Sequence, residues 1–286
     1  MPLDHMGISA WIANLNGKEI PQYAIKPRGS RCMECWIPAS EGCHFKIMWK
    51  VSKAPRPDLD LFVYPYLDGV RMCGRSWTND QVAAGETGRL GHHPTGPSSF
   101  RLYEFGKRKI TDREDTFQTG RPRALFDELN TIKVRFAWGH QEAMPERAEL
   151  FNDPTEAAPI HETEAKFMQG RSGSAWLSQN NTTSSNSYSF CDFRSEDDAK
   201  STIFIFRYAS RDWLQAQDII ERRPRVTGPS SPRIIPNLKR RRSITPEAIV
   251  TTGLETKDDD DDIVFVKHVI PAKAFPRKKK RLVNHA

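Results

Sequence analysis

The residues whose types and spacing suggest chemistry most directly stand near the C-terminus. Lys239, Arg240, Arg241 and Arg242 form one basic run; Arg277, Lys278, Lys279, Lys280 and Arg281, preceded by Pro276, form a second. Between them Asp258, Asp259, Asp260, Asp261 and Asp262 lead directly into Ile263, Val264, Phe265 and Val266, four β-favouring residues in a polar stretch. Compact basic runs in exposed, extended chain suit the groove of importin-alpha, where acidic pockets and stacked tryptophans take successive Lys and Arg stems. Pro276 discourages helix ahead of the second run. The runs therefore predict nuclear import, the alternative being a solvated charge run in non-specific contact with polyanions. The aspartate-led apolar segment has the pattern of a SUMO-interaction motif. A short strand would add to the edge of the modifier's sheet, with backbone bonds giving affinity and alternate side chains filling a groove. The aspartates would face the basic rim beside that groove and set strand direction. Three other readings stay open: pairing of Ile263–Ile270 with a free edge of the body's own sheet, gatekeeping against aggregation, and neutralisation of the flanking basic runs. Ser243 follows three arginines, the arrangement basophilic kinases prefer, while Ser231 and Thr245 each precede a proline. A phosphate at Ser243 would add about −1.5 to −2 charge beside the first run and weaken importin binding.

These motifs account for the charge of the chain. Of 286 residues, 43 are Lys or Arg and 36 are Asp or Glu, a formal charge of +7. Residues 221–286 alone carry 16 basic and 8 acidic groups, which leaves the first 220 with 27 and 28. A near-neutral body thus precedes a basic tail. After Pro224 the composition turns to Gly, Pro, Ser and charge, too little apolar surface to offset chain entropy, so residues 223–286 read as disordered in isolation. No apolar run nears the ~20 residues a membrane span needs, and residues 1–30 lack the apolar core of a secretory signal. Five cysteines, an odd number, with no signal point to reduced thiols in an intracellular compartment. The sequons at Asn180 and Asn181 then read as silent.

The body must supply the scaffold, and its pattern is β. Residues 31–37 form a strand candidate ending at Pro38. Phe45, Ile47, Trp49 and Val51 alternate with polar or flexible neighbours, as in a half-buried strand, and Ile132, Val134, Phe136 and Trp138 repeat the pattern. Leu61–Leu67 is closed by Asp68-Gly69, a strong turn dipeptide, with the chain continuing from Val70 to Cys73. Phe100 and Leu102 mark a further strand, and Ile203–Tyr208 the last. Ser210 reads as the N-cap of a short helix over Arg211–Ile220. Residues 79–99 are Gly/Pro-rich and read as a loop, 141–169 as holding a short helix, and 171–200 as a mobile Ser/Asn-rich insertion. Together these predict a mainly β fold over residues 1–222, an antiparallel β-sandwich with a short terminal helix, followed by the disordered tail of 223–286.

Few residues of the body suggest reactive chemistry. Cys32 and Cys35, with Cys43 and His44 nearby, have zinc-knuckle spacing. Residues three apart on a strand point to opposite faces, however, so buried thiols beside Trp36 are the favoured reading and no metal or cofactor is assigned. His92-His93 reads as part of a solvated loop. Asp112, Glu114 and Asp115, interleaved with Arg113, read as a charged surface. No phosphate-binding, dinucleotide, hydrolase or zincin motif occurs, so no catalytic residue is assigned. Trp36, Trp49 and Trp138 read as core, whereas Tyr64 and Tyr66 fall on the face opposite Val63 and Leu67.

Residues 32–51, the turn Tyr66-Leu67-Asp68-Gly69 and the segment Phe204–Ile220 together resemble a domain-of-unknown-function family of mushroom-forming fungi. The resemblance covers about residues 5–222. It implies the domain limits and an intracellular, basidiomycete origin, and carries no catalytic residue. The expectation is a non-enzymatic nuclear protein-interaction module with a SUMO-binding tail, docking one partner through its body and a SUMO-modified one through its tail. Two alternatives stand beside it. A chromatin- or nucleic-acid-associated factor would grip phosphate through the basic tail, with a steep salt dependence. An enzyme with an unrecognised site would show a deep polar pocket of clustered ionisable groups.

Overall fold

A computed structural model of the chain describes residues 2–112, 127–143, 151, 154–155, 159–167, 171–183, 191–196 and 199–221. The chain divides into two units, Met1–Val226 and Thr227–Ala286, and the described residues belong to the first. In chain order the strands are β1 (Leu3–His5), β2 (Ile8–Asn14), β3 (Tyr23–Pro27), β4 (Cys32–Pro38), β5 (Phe45–Val51), β6 (Asp60–Leu67), β7 (Val70–Arg71) and β8 (Arg75–Trp77). Helix α1 (Asn79–Ala83) precedes β9 (Thr87–Leu90), β10 (His92–Gly96), β11 (Ser99–Lys107), β12 (Ile110–Thr111) and β13 (Thr131–Ala143). Then come β14 (Ile160–His161), α2 (Glu162–Phe167), β15 (Gly173–Thr183), β16 (Cys191–Ser195), β17 (Thr202–Ala209) and α3 (Arg211–Ala216).

The body is mainly β, as its alternating patterns require. The largest sheet runs β3-β4-β17-β13-β6-β7, with β16 also paired to β13 and β8 to β6. A second sheet runs β1-β2-β5-β9 and a third β10-β11-β15. Their inward faces meet in one core. Ile12, Ile47 and Trp49 come from the second sheet, Tyr103 and Phe105 from the third, and Val63, Phe136, Phe204 and Phe206 from the first. Aromatic rings bridge the layers: Trp49 meets Phe136 edge-on at 6.1 Å and Phe105 stacks on Phe45 at 4.4 Å, while within the first sheet Phe136 meets Phe204 at 5.6 Å. Trp49 fits only because its cross-strand neighbour is Gly88, where a Cβ atom would lie 2.0 Å from the indole.

Most pairings are antiparallel, but β4 and β17 run parallel, with Cys35 opposite Phe206. The first long strand of this sheet thus lies beside the last, so the two ends of the domain are hydrogen-bonded together. Helix α3 follows β17 as expected, its N-cap Ser210 accepting from the Trp213 amide. It stops at Ala216, short of Ile220, and Asp218 takes a left-handed backbone conformation. Leu214 and Ile220 are buried with Ala209 in a small second cluster, against which Trp36 and Trp213 pack.

Several expectations are corrected. Residues 79–99 are not a loop: Thr78 caps α1 in a reciprocal capping box with Gln81, and β9 and β10 follow as ladder strands. Their Gly and Pro residues disguise them, because a short strand with strong neighbours needs little propensity of its own. Within 171–200, read as an insertion, Gly173–Thr183 pairs with β11 and Cys191–Ser195 with β13. Ala175 and Leu177 are buried there, and Gln179–Thr183 form the exposed end of the strand. Trp36 is half-buried on the outer side of its sheet, its ring tilted 33° against Trp213 at 5.2 Å, because the inward positions of β4 belong to Cys35 and Ile37.

Candidate functional site

The basic runs Lys239–Arg242 and Arg277–Arg281, the segment Asp258–Val266, and Ser231, Ser243 and Thr245 all lie outside the described residues. What the structure adds concerns the body, where three places bring functional side chains together.

The first is the outer face of the eight-stranded sheet. Along β6 the residues Leu61, Val63, Pro65 and Leu67 are buried, so Phe62, Tyr64 and Tyr66 stand on the other side, as alternation predicted for the tyrosines. Register sets Lys133 beside Tyr66 and Arg135 beside Tyr64. Next to these, on β17, come Ile205 and Ile203. The Lys133 ammonium lies 4.9 Å from the centre of the Tyr66 ring and 2.8 Å from both Glu128 oxygens. Arg71 and Arg135 approach the Tyr64 ring at 4.8 and 5.8 Å. Phe62 completes the row, 4.5 Å from Tyr64 and 5.1 Å from Phe193. Cations and rings therefore alternate across this face, and Arg135 is exposed on it. Each such pair contributes about 0.5–1 kcal/mol where water has access.

At the far edge of the same sheet Glu34 is 2% exposed and gathers three cations. Arg207 donates to it at 2.8 Å and Arg28 at 3.0 Å, with Lys26 at 3.3 Å. Burial pushes its carboxyl up, but the Arg207 hydrogen bond, with the charges of Arg207 and Arg28 and the Lys26 contact, outweighs this and holds the pKa below the ordinary Glu range.

The third place was not legible in the sequence. Asp68, read only as a turn residue, does occupy a turn: it and Gly69 have φ of 48° and 85°, as a tight hairpin requires. Its carboxylate turns inward. It accepts from the Arg108 guanidinium at 2.6 Å, the Tyr208 hydroxyl at 2.7 Å, and the backbone amides of Thr131 and Ala175, both at 3.2 Å. Burial pushes the Asp68 carboxyl up, against the pull of the Arg108 charge and of the Tyr208 and Ala175 hydrogen bonds. The fully buried Tyr208 hydroxyl is likewise raised well above its ordinary range, by burial first and then by the Asp68 charge. Beside this network Asn130, also left-handed, donates to the Gly173 carbonyl at 2.8 Å, while its own carbonyl accepts from the Tyr208 amide. Just outside it a cleft of about 130 Å³ opens between β11, β15, β17 and α3.

The remaining candidates are placed as follows. Cys32 is half-buried, Cys35 buried and Cys43 exposed, and all three are free thiols. Burial raises the pKa of Cys32 and Cys35, which keeps them protonated. Among the described residues no group of three or more His, Cys, Asp or Glu is arranged to hold a metal ion. His92 and His93 are not in a solvated loop. They lie on β10, where the Nδ1 of a buried His93 accepts from the Cys73 amide at 3.1 Å and His92 packs on Phe100. Burial, together with the Arg75 and His93 charges, lowers the pKa of His92. Trp49 and Trp138 are core residues, as expected. Asp112 is exposed.

The geometry defines a β-sandwich with one aromatic and cationic outer face and a buried ionic tie at one end. The chain belongs to a family described as a domain of unknown function (DUF7918), which matches residues 12–223. No curated protein and no solved structure matches it.

Proposed function

We propose that this chain is a non-enzymatic nuclear interaction protein of basidiomycete origin, whose body docks an acidic protein segment and whose tail addresses it to importin-alpha and to SUMO. One observation carries the proposal for the body: on a single sheet face Arg71, Lys133 and Arg135 alternate with Phe62, Tyr64 and Tyr66. Charge complementarity selects the partner. An extended segment with Asp or Glu and an apolar or aromatic side chain would place carboxylates on the cations and its apolar groups on the rings. The aspartates ahead of Ile263–Val266 and the two basic runs support the tail's share of the reading. Bivalency would let two modest contacts act together.

The test uses the full chain. A labelled Asp/Glu-rich peptide containing phenylalanine should bind it, and Tyr64→Ala with Arg135→Glu should abolish the binding; retention in that variant removes the face from the proposal. Isotope-labelled SUMO should show shift changes on titration with the chain, and these should vanish when Ile263, Val264 and Val266 become Ala. A fluorescent fusion lacking residues 276–281 and altered at 239–242 should stay cytoplasmic. The competing reading, a basic tail gripping nucleic acid, requires the chain to bind DNA with an affinity that falls steeply with salt.

A further inference from the structure

We propose that the outer face of the second sheet binds single-stranded nucleic acid, with a base on Trp11 and phosphates along β9. Alternation fixes this face: between the buried positions stand Trp11 of β2, Met48 and Lys50 of β5, and Arg89 of β9. Register sets Trp11 beside Met48 and Met48 beside Arg89, with Lys50 one step along the same face. Neighbouring strands lie about 5 Å apart, so the Trp11 and Arg89 backbones are about 10 Å apart across Met48. Trp11 and Met48 are half-buried, and neither belongs to the two apolar clusters of the core.

The charge on this face is one-sided. The charged residues of β2, β5 and β9 are Lys46, Lys50 and Arg89, with no acid among them. Lys50 and Arg89 are exposed, and among the described residues neither forms an ion pair. Arg75 joins them at the β9 edge, donating to the Arg89 carbonyl at 3.2 Å. Partial burial lowers the Arg75 pKa, and the Arg89 charge lowers it further, so an anion would be welcome to both guanidiniums. Lys46 is already engaged, donating to the Leu15 carbonyl at 2.8 Å. Beyond Trp11, on the opposite side, β1 carries Asp4, which accepts from the Ser9 hydroxyl. Cations thus line one side of the face, the indole lies inside them, and the acid lies past it.

That order matches one strand of nucleic acid. Phosphates and bases project to opposite sides of the sugar. A strand lying along β9 would set its phosphates on Lys50, Arg89 and Arg75 and turn its bases across Met48 onto Trp11. The Tyr64 and Tyr66 rings of the first sheet have cations against them, whereas Trp11 pairs with no ring or cation among the described residues. A duplex keeps its bases stacked and presents no π-face to a sheet, so the single strand is the fitting form. An anionic membrane calls for apolar side chains that enter it, and the two on this face are half-buried in the sheet.

The experiment follows the fluorescence anisotropy of a short labelled oligouridine and a short labelled oligothymidine titrated with the full chain. Both should bind, since stacking and phosphate contacts are common to RNA and DNA. Trp11→Ala should weaken both about five- to 150-fold, the scale of one lost base stack, and Trp11→Phe should keep most of the affinity. Should Trp11→Ala fold poorly, Trp11→Leu, which fills the place without a ring, stands in for it. Lys50→Ala with Arg89→Ala should lower the slope of log affinity against log salt by about 1.4, at ~0.7 for each phosphate contact removed. A DNA duplex and phosphatidylserine vesicles serve as controls, and whatever they gain from the basic tail should be unchanged by loss of the Trp11 ring. Three outcomes overturn the proposal. They are no binding of either oligonucleotide, a single-strand affinity unmoved by loss of the ring or a salt slope unmoved by loss of the two charges, and an equal loss for duplex or vesicles.

Discussion

Asp68 is the residue on which most of the chain converges. Its partners Arg108 and Tyr208 lie 40 and 140 residues away in sequence, and Thr131 and Ala175 add two amides. One carboxylate therefore ties the β6–β7 turn to the chain beyond β11 and to β13, β15 and β17. Such a tie is weak as net stabilisation, since both ions lose water. It is costly to break on one side, because the other charge stays buried. The Arg108 side chain is only 7% exposed. Asp68→Asn should accordingly lower unfolding free energy by about 3–5 kcal/mol. In urea this appears as a lower midpoint with an unchanged slope. Adding Arg108→Met should recover part of the loss, and a single-variant cost well under 1 kcal/mol would show that the pair is dispensable. Asp68-Gly69 is legible in sequence as a turn because the left-handed backbone demands those residue types. The carboxylate's partners are not legible, because nothing local distinguishes a turn aspartate that faces water from one that faces a buried arginine.

At the scale of elements, legibility follows the burial contrast along each strand. In β5 and β13 the inward residues are apolar and the outward ones largely polar, so a period of two shows their extent, whereas β6 and β17 read as apolar runs because Phe62, Tyr64 and Tyr66, and Ile203 and Ile205, stand on their outward faces. β10 and β15 are rich in Gly, Pro, Ser, Asn, Thr and His, with Ala175 and Leu177 the buried apolar positions of β15, and their strand state comes from the ladder with β11. The parallel pairing of β4 with β17 was equally hidden, since the partners are far apart in the chain. Glu34 links this pairing to the edge strand β3, through Lys26 and Arg28 on one side and Arg207 on the other. Its folded pKa lies below its unfolded one, so its contribution is fully present above the unfolded Glu pKa. It is lost as pH falls from there through the folded pKa. Urea midpoints measured across the acid range should drop over that window, and Glu34→Gln should flatten the drop. A variant with the same acid slope as the parent would exclude Glu34 as its source.

At the scale of the whole molecule, the excess positive charge lies outside the described core. Among the described residues, the two apolar clusters lie between Leu3 and Ile220, and the family match ends at residue 223. The excess charge lies in residues 221–286, where 16 basic groups face 8 acidic ones. The formal +7 is thus a property of the tail, and the body's own cations are balanced and arranged locally, as on the Tyr64 face. This arrangement makes a prediction that bulk charge alone does not. A fragment of residues 1–222 should unfold in urea with the midpoint and slope of the full chain, because it keeps every residue of the described core. The same fragment should pass through a cation exchanger at neutral pH that retains the full chain, since its formal charge is close to zero. It should also keep the acidic-peptide binding assigned to the sheet face while losing the SUMO response. A clearly lower unfolding midpoint in the fragment would mean that the last 64 residues stabilise the body. Scaffold and address would then not be separate parts of the chain.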